Sequence, residues 1–372
     1  MTSLPLILAT IGLTFLAATP GLATQADIDL CTSRDVDACT RLIDSGIFED
    51  KDLAITLVYR SEGLEKRGDL QGAIRDLTKA LKVYPVWLVP RSNLARLYEA
   101  TGQTELLLVN YFVAIAMSGD DPSFPSMRGH YYERQGNFEA AAADYSEAIR
   151  RAPNDYLYLT ARGRVLLAMN RFDEAIADFD KVFTLTIINP EVSAMRGEAY
   201  YWKKDYSAAL ADLDLAIQYD PSLSAAYLNR ARVAMAQGDP DKALPDLDKA
   251  LALDPLDPAA LRNRCVVRTI LGTDLAAALT DCEAAIAVDG PKAEHLTNRG
   301  IVRLLTGEYD AAIADFTEAL SDDPGNAEAL HARGIAYLQI GKDRAAQQDF
   351  NASERLSPGI SQSMEYIRLA IR

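Results

Sequence analysis

The sequence predicts an all-α solenoid of repeated helix-turn-helix units, and three observations carry that prediction. Small residues recur at a fixed interval of 34 positions, glycines punctuate the chain between paired apolar stretches, and prolines close the second stretch of most pairs. A unit of this length cannot bury its apolar face alone, so tandem copies imply a stack in which each unit covers its neighbour.

The period is read most directly from the first helix of each unit. Ser61, Ala95, Gly129, Gly163, Gly197, Ala231, Cys265, Gly300 and Gly334 are 34 residues apart, except for 35 between Cys265 and Gly300. The extra residue falls in the turn GTDLAAAL (272–279). A second small position lies twelve residues on, at Ala73, Ala141, Ala175, Ala209, Ala243, Ala278, Ala312 and Ala346, with Leu107 as the departure. A third follows at Ala80, Ala114, Ala148, Ala216, Ala250, Ala285 and Ala319, where Val182 and Ser353 depart. Two antiparallel helices approach closely only where side chains are small, and Leu77, Tyr145, Phe179, Leu213, Leu247, Phe316 and Phe350 are placed to fill the space beside them.

The turn and stop signals agree with this phasing. Gly68, Gly102, Gly136, Gly238, Gly272, Gly307 and Gly341 stand where a first helix ends, as left-handed caps do. Asn170 can adopt the same conformation, whereas Lys204 breaks the rule. Pro85, Pro153, Pro221, Pro255, Pro324 and Pro358 end second helices. A 34-residue helix-turn-helix with small residues at these offsets resembles the tetratricopeptide repeat, and the resemblance covers about residues 54–360 in nine copies. It implies a right-handed superhelix of stacked hairpins whose first helices line a concave groove, a fold that holds partner proteins or peptides.

The remaining segments divide as follows. Residues 1–26 read as a signal peptide: no charged side chain interrupts LPLILATIGLTFLAATPGL, and small residues at Gly21, Ala23 and Ala26 suit cleavage after Ala23 or Ala26. No Lys or Arg precedes the apolar run, so an uncleaved membrane anchor is the alternative to an exported, periplasmic or secreted chain without integral membrane insertion. Residues 27–53 read as a helical N-terminal cap and 361–372 as a closing helix, with Ile360, Met364, Ile367 and Ile371 at helical spacing. The four cysteines suit an oxidising compartment. Cys31 and Cys39 are spaced to bridge two antiparallel helices and are expected to form a disulfide. Cys265 and Cys282 fall where other repeats place Gly or Ala and Phe or Leu, and are expected to pack as small apolar residues.

Composition narrows the function. A net charge of -15 argues against nucleic acid, because Lys and Arg are what displace the counterions of a phosphate backbone. His130, His295 and His331 lie in different repeats, without a partner ligand at metal spacing, and no phosphate loop or nucleophile elbow is present. No enzyme activity, metal or cofactor is therefore expected. Paired carboxylates at Asp178/Asp180, Asp212/Asp214 and Asp246/Asp248 point in different directions on a helix and suit a solvated or paired face rather than a calcium loop.

Two charged patterns remain. Arg60/Asp76, Arg128/Asp144, Arg162/Asp178, Arg196/Asp212, Arg230/Asp246, Arg264/Asp281, Arg299/Asp315 and Arg333/Asp349 recur in phase, and in the remaining repeat both members change together to Leu94 and Asn110. They read as interhelical ion pairs that fix register. On the concave face, one first-helix position reads Arg96, His130, Arg164, Glu198 and Arg232, joined by Arg262 in the next unit, with Tyr201 and Trp202 as amphipathic anchors. These are the candidate peptide-binding residues, suited to partner proteins or peptides and among them acidic segments. The other reading is that the arginines are solvated or pair with Glu99, Glu133 and Glu198. Beyond this stripe the face turns apolar at Val266, Ile270, Ile301, Leu304, Leu305, Ile335 and Leu338, which reads as packing within the solenoid or beneath the C-terminal helix. The expected function is a non-catalytic scaffold or adaptor binding in the groove; the alternative is an assembly subunit acting through its convex surface or by self-association.

Overall fold

The computed structural model describes residues 24–186, 188–272, 274–364 and 367. The signal-peptide reading of 1–26 falls almost wholly outside these residues, as do Ile371 and most of the expected closing helix. Every regular element among the described residues is an α-helix. The chain forms two compact units, the first ending at Pro153 and the second beginning at Asn154.

The first unit opens with α1 (Gln25–Thr32) and α2 (Val36–Asp44), joined by the Cys31–Cys39 disulfide with Cα atoms 4.7 Å apart. Thr24 caps α1 in a reciprocal box with Asp27. Three hairpins follow: α3 (Asp50–Lys66) with α4 (Leu70–Val83), α5 (Val89–Ala100) with α6 (Thr104–Met117), and α7 (Ser123–Arg134) with α8 (Phe138–Arg151).

The second unit continues with α9 (Tyr156–Ala168) and α10 (Phe172–Leu185), α11 (Pro190–Trp202) and α12 (Tyr206–Tyr219), and α13 (Ser224–Ala236) and α14 (Pro240–Leu253). It goes on through α15 (Pro258–Leu271) and α16 (Leu275–Asp289), α17 (Ala293–Leu305) and α18 (Tyr309–Asp322), and α19 (Ala327–Gln339) and α20 (Asp343–Leu356), before the short α21 (Ile360–Ser363). The first helix of the long repeat, α15, ends at the left-handed Gly272.

The small-residue ladder does what its chemistry requires. A methyl group added to Gly163 would lie 2.5 Å from the Phe179 ring, and one on Gly300 would lie 2.6 Å from Phe316, so each ring occupies the space that the absent side chain leaves. The turns follow the cap rule with one addition. Asn170 and Lys204 both take the left-handed conformation, at φ 58° and 62°, so Lys204 holds a backbone state that its side chain disfavours because the two flanking helices fix the turn.

Cys265 and Cys282 correct the expectation from sequence. They form a second disulfide, linking α15 to α16 with Cα atoms 5.5 Å apart. Cys265 takes the place of the helix-contact glycine and Cys282 that of the ring facing it, so the closest point between the two helices, filled by packing elsewhere, is here a covalent bond.

The Arg–Asp pairs are formed in all eight hairpins that carry them, each arginine donating from Nε and Nη2 to the two oxygens of one aspartate at 2.6–3.0 Å. The aspartates are buried, and this fork geometry satisfies both carboxylate oxygens. In the hairpin that lacks the pair, Leu94 is buried and Asn110 donates instead to the Arg91 carbonyl at 2.7 Å.

Candidate functional site

First helices carry the candidate residues, because the 3, 4, 3 spacing puts them on one helix face. In the first unit, Arg96 on α5 is bound through both terminal nitrogens to Glu65 on α3, and Arg134 on α7 reaches Glu99 on α5. His130 on α7 is open to solvent, with its ring edge-on to Tyr145 at 5.5 Å and Nδ1 3.8 Å from Glu133. The Tyr145 hydroxyl donates to Glu133 at 2.8 Å.

In the second unit, Arg164 is exposed on α9. Arg232 on α13 donates to Asn229 at 3.0 Å and lies 3.8 Å from Glu198 on α11. Arg262 on α15 is paired with Glu294 on α17. Tyr201 and Trp202 end α11, and their rings meet edge to face at 5.1 Å. Trp202 also stacks on Phe172 at 6.2 Å and remains 50% exposed.

These distances define what the face can do. Arg96, Arg134, Arg232 and Arg262 are each matched to a carboxylate on an adjacent first helix, and exposed or half-exposed pairs of this kind contribute about 0–1 kcal/mol. In the second unit, Arg232 and Arg262 keep carboxylate partners on adjacent first helices while Trp202 stays half-exposed.

The apolar stretch divides. Ile301, Leu304 and Ile335 are buried in one cluster with Phe316, Met364 and Ile367, so the C-terminal residues help to cover it, whereas Ile270 and Leu338 are more than 40% exposed. His295 and His331 are buried among core residues.

Two features escaped the sequence reading. The second carboxylate of each Asp pair has a defined partner: Asp180 accepts from Arg196 at 2.6 Å, Asp214 from Arg230 at 2.6 Å and Asp248 from Arg264 at 2.9 Å. Each of these arginines therefore ties its own hairpin to the one before it. The signal was the offset of both contacts, 16 residues on either side of Arg196 and Arg230, and 16 to Asp248 but 17 to Asp281 at Arg264. The other feature is the outer face of α6, where Leu106, Val109 and Phe112 are 48%, 61% and 69% exposed. Elsewhere the Phe112 position holds Thr78, Ser146, Asp180, Asp214, Asp248, Glu283, Thr317 and Asn351, so aligning the repeats at this column would have revealed it.

Comparison with known proteins agrees with this architecture. Tetratricopeptide repeat models match residues 126–187, 160–226 and 224–256, and a TPR repeat model matches residues 300–341. No curated protein matches the sequence. Among solved structures, PilF of Pseudomonas aeruginosa is 19% identical, with 57% of this chain and 96% of that chain covered and a TM-score of 0.50. A tetratricopeptide repeat protein from Parabacteroides merdae is 18% identical, with 77% of this chain and 99% of that chain covered and a TM-score of 0.47. At such identity the likeness to PilF is one of fold. With hairpins, phase and family models in agreement, the chain is a tetratricopeptide-repeat protein, an all-α solenoid of the kind that serves as a protein–protein interaction scaffold.

Proposed function

We propose that the chain is an exported, non-catalytic scaffold that binds segments of partner proteins on its first-helix faces, with an acidic or carboxylate-ended peptide held at Arg164, Tyr201, Trp202 and Arg232. The observation that carries this reading is Trp202: a large ring stacked on Phe172 yet 50% exposed, on the helix that also presents Glu198 to Arg232. Aromatic anchors beside guanidinium groups are what interface hot spots are made of. Capture of partners with the intact protein, repeated with Arg164→Ala/Arg232→Ala, tests it. The double variant is expected to lose about 1–3 kcal/mol of affinity per buried contact and to flatten the salt dependence. Unchanged affinity and salt response would remove the stripe from the binding surface.

Export is supported by two disulfides, which persist in oxidising compartments, and by the apolar leader. No described helix is long and apolar enough to cross a membrane. Cleavage after Ala23 leaves the Thr24–Asp27 capping box intact, whereas cleavage after Ala26 removes Thr24, so Thr24 is the expected mature N-terminus. N-terminal sequencing of the exported protein checks this, and intact Met1 would overturn it.

The α6 face favours a second reading, self-association through the outer surface. A Leu106–Val109–Phe112 stripe in a chain of net charge -15 is a face where two copies can approach with little charge repulsion. Sedimentation of Phe112→Ser, which restores the polar residue type of the other repeats, is expected to show a shift toward monomer if this reading holds.

A further inference from the structure

Two successive second helices of the first unit, α4 and α6, present an outer surface whose chemistry the other repeats do not share. The columns that hold Arg75, Lys79 and Lys82 on α4 hold Val109, Val113 and Ala116 on α6, 34 residues on. Equivalent columns of stacked repeats lie on one side of the stack, so the two stripes belong to one surface. On α4 the inward residues Ala73, Leu77 and Ala80 are buried. Every exposed charge on that helix is positive, because its one carboxylate, Asp76, is buried in the grip of Arg60. Among the described residues no carboxylate pairs with Arg75, Lys79 or Lys82, and no other repeat places more than one cation in these three columns.

The apolar half of the surface comes from α6. From Leu106 to Met117 that helix carries no charged side chain, and Phe112, at 69% exposure, projects from the surface rather than lining a groove. The connection that leaves α4 just after Lys82 is of the same kind. Its YPVWLVP run (84–90) has no charge, and Val86 and Val89 are exposed while Trp87 and Leu88 rest against the core.

We infer that this surface docks the protein peripherally on an anionic lipid bilayer, with Arg75, Lys79 and Lys82 against the headgroup phosphates and Leu106, Val109 and Phe112 entering the acyl boundary. Charge selects the occupant. Cations without carboxylate partners gain from a surface dense in negative charge. A fluid apolar layer conforms to projecting side chains, whereas a helix of a protein partner seeks a groove. A second copy answers only the apolar half of the requirement, since it brings the same uncompensated cations to the contact. The net charge of -15 does not oppose docking, because at physiological salt charges act over about 8 Å and those beside the membrane dominate. The surface lies on second helices and leaves the first-helix residues Arg164, Tyr201, Trp202 and Arg232 free for a partner.

The test is flotation of the full mature protein with vesicles of phosphatidylglycerol and phosphatidylethanolamine, against vesicles of phosphatidylcholine, which carry no net charge. Binding is expected to be about tenfold weaker on phosphatidylcholine and to fall as salt is raised. Lys79→Gln/Lys82→Gln is expected to lower binding to the anionic vesicles about tenfold. Lys181→Gln/Lys249→Gln removes the same charge from the Lys79 column of two other repeats and is expected to bind as the wild type does. Phe112→Ser is expected to lower binding about tenfold, with thermal unfolding of every variant matching the wild type, which shows the fold intact. No flotation on anionic vesicles, equal loss in the two lysine pairs, or unchanged binding of Phe112→Ser would overturn the inference. So would a lipid-free dimer that Phe112→Ser splits and that does not float, which gives the α6 face to a second copy. Arg164→Ala/Arg232→Ala is expected to float as the wild type does, so that failure of this surface and failure of the arginine stripe are read separately.

Discussion

Arg196 is the clearest residue at which one side chain serves two levels of structure. It grips Asp212 within its hairpin and Asp180 in the preceding one, and the pairing holds the guanidinium even more firmly in its charged form. Truncating it leaves buried Asp212 without a cation, a change that costs about 3–5 kcal/mol. The hairpin with Leu94 and Asn110 shows how the chain does without the pair. Arg196→Leu/Asp212→Asn is therefore expected to be more stable than Arg196→Leu alone, as measured by urea unfolding; equal loss in both would show that the pair is not coupled. Gly163→Ala places a methyl against Phe179 and is expected to cost about 1–3 kcal/mol.

Among the elements, the α11–α12 turn and the α15–α16 hairpin depart most from their fellows. Lys204 occupies a left-handed position that seven glycines occupy in other repeats, so Lys204→Gly is expected to raise stability by about 1 kcal/mol in thermal unfolding. The second disulfide closes a loop between helices that elsewhere rely on a ring against a glycine, and its loss is expected to cost about 2–4 kcal/mol. The loss belongs to the hairpin, since repeat stability is a sum over units and their neighbours. Hydrogen exchange after reduction should accelerate in α15, α16 and their neighbours, with a separate effect in α1 and α2, and leave α5–α8 unchanged.

For the whole molecule, stability depends on how the ends are closed. At the N-terminal end, hydrogen bonds from the Thr24 backbone and side chain, then from Arg41, hold the Asp27 pKa down to about 2 from an ordinary 3.8. A depressed carboxyl adds stability above its unfolded value and loses it as the proton binds in the fold, so this end is expected to loosen as pH falls from about 4 to about 2. An NMR titration of Asp27 checks this: the midpoint should move back toward 3.8 in Thr24→Ala. At the other end, Met364 and Ile367 join the core that contains Phe316 and Ile335, which withdraws part of the apolar face from solvent.

The repeat phase, the helix boundaries and the Arg–Asp ladder were legible in the sequence because each depends on contacts at a fixed offset within one hairpin, and a period of 34 displays such offsets as columns. Leu94 and Asn110 changing together carried the same information in a single exception. What only the tertiary structure decided are contacts between repeats and departures from the column. Cys265 and Cys282 read as packing residues until the helices were close enough to place their sulfurs in bonding distance. Arg96, Arg232 and Arg262 carried both a ligand-binding and a solvated or paired reading, and the pairing to Glu65, Glu198 and Glu294 is a contact between neighbouring repeats.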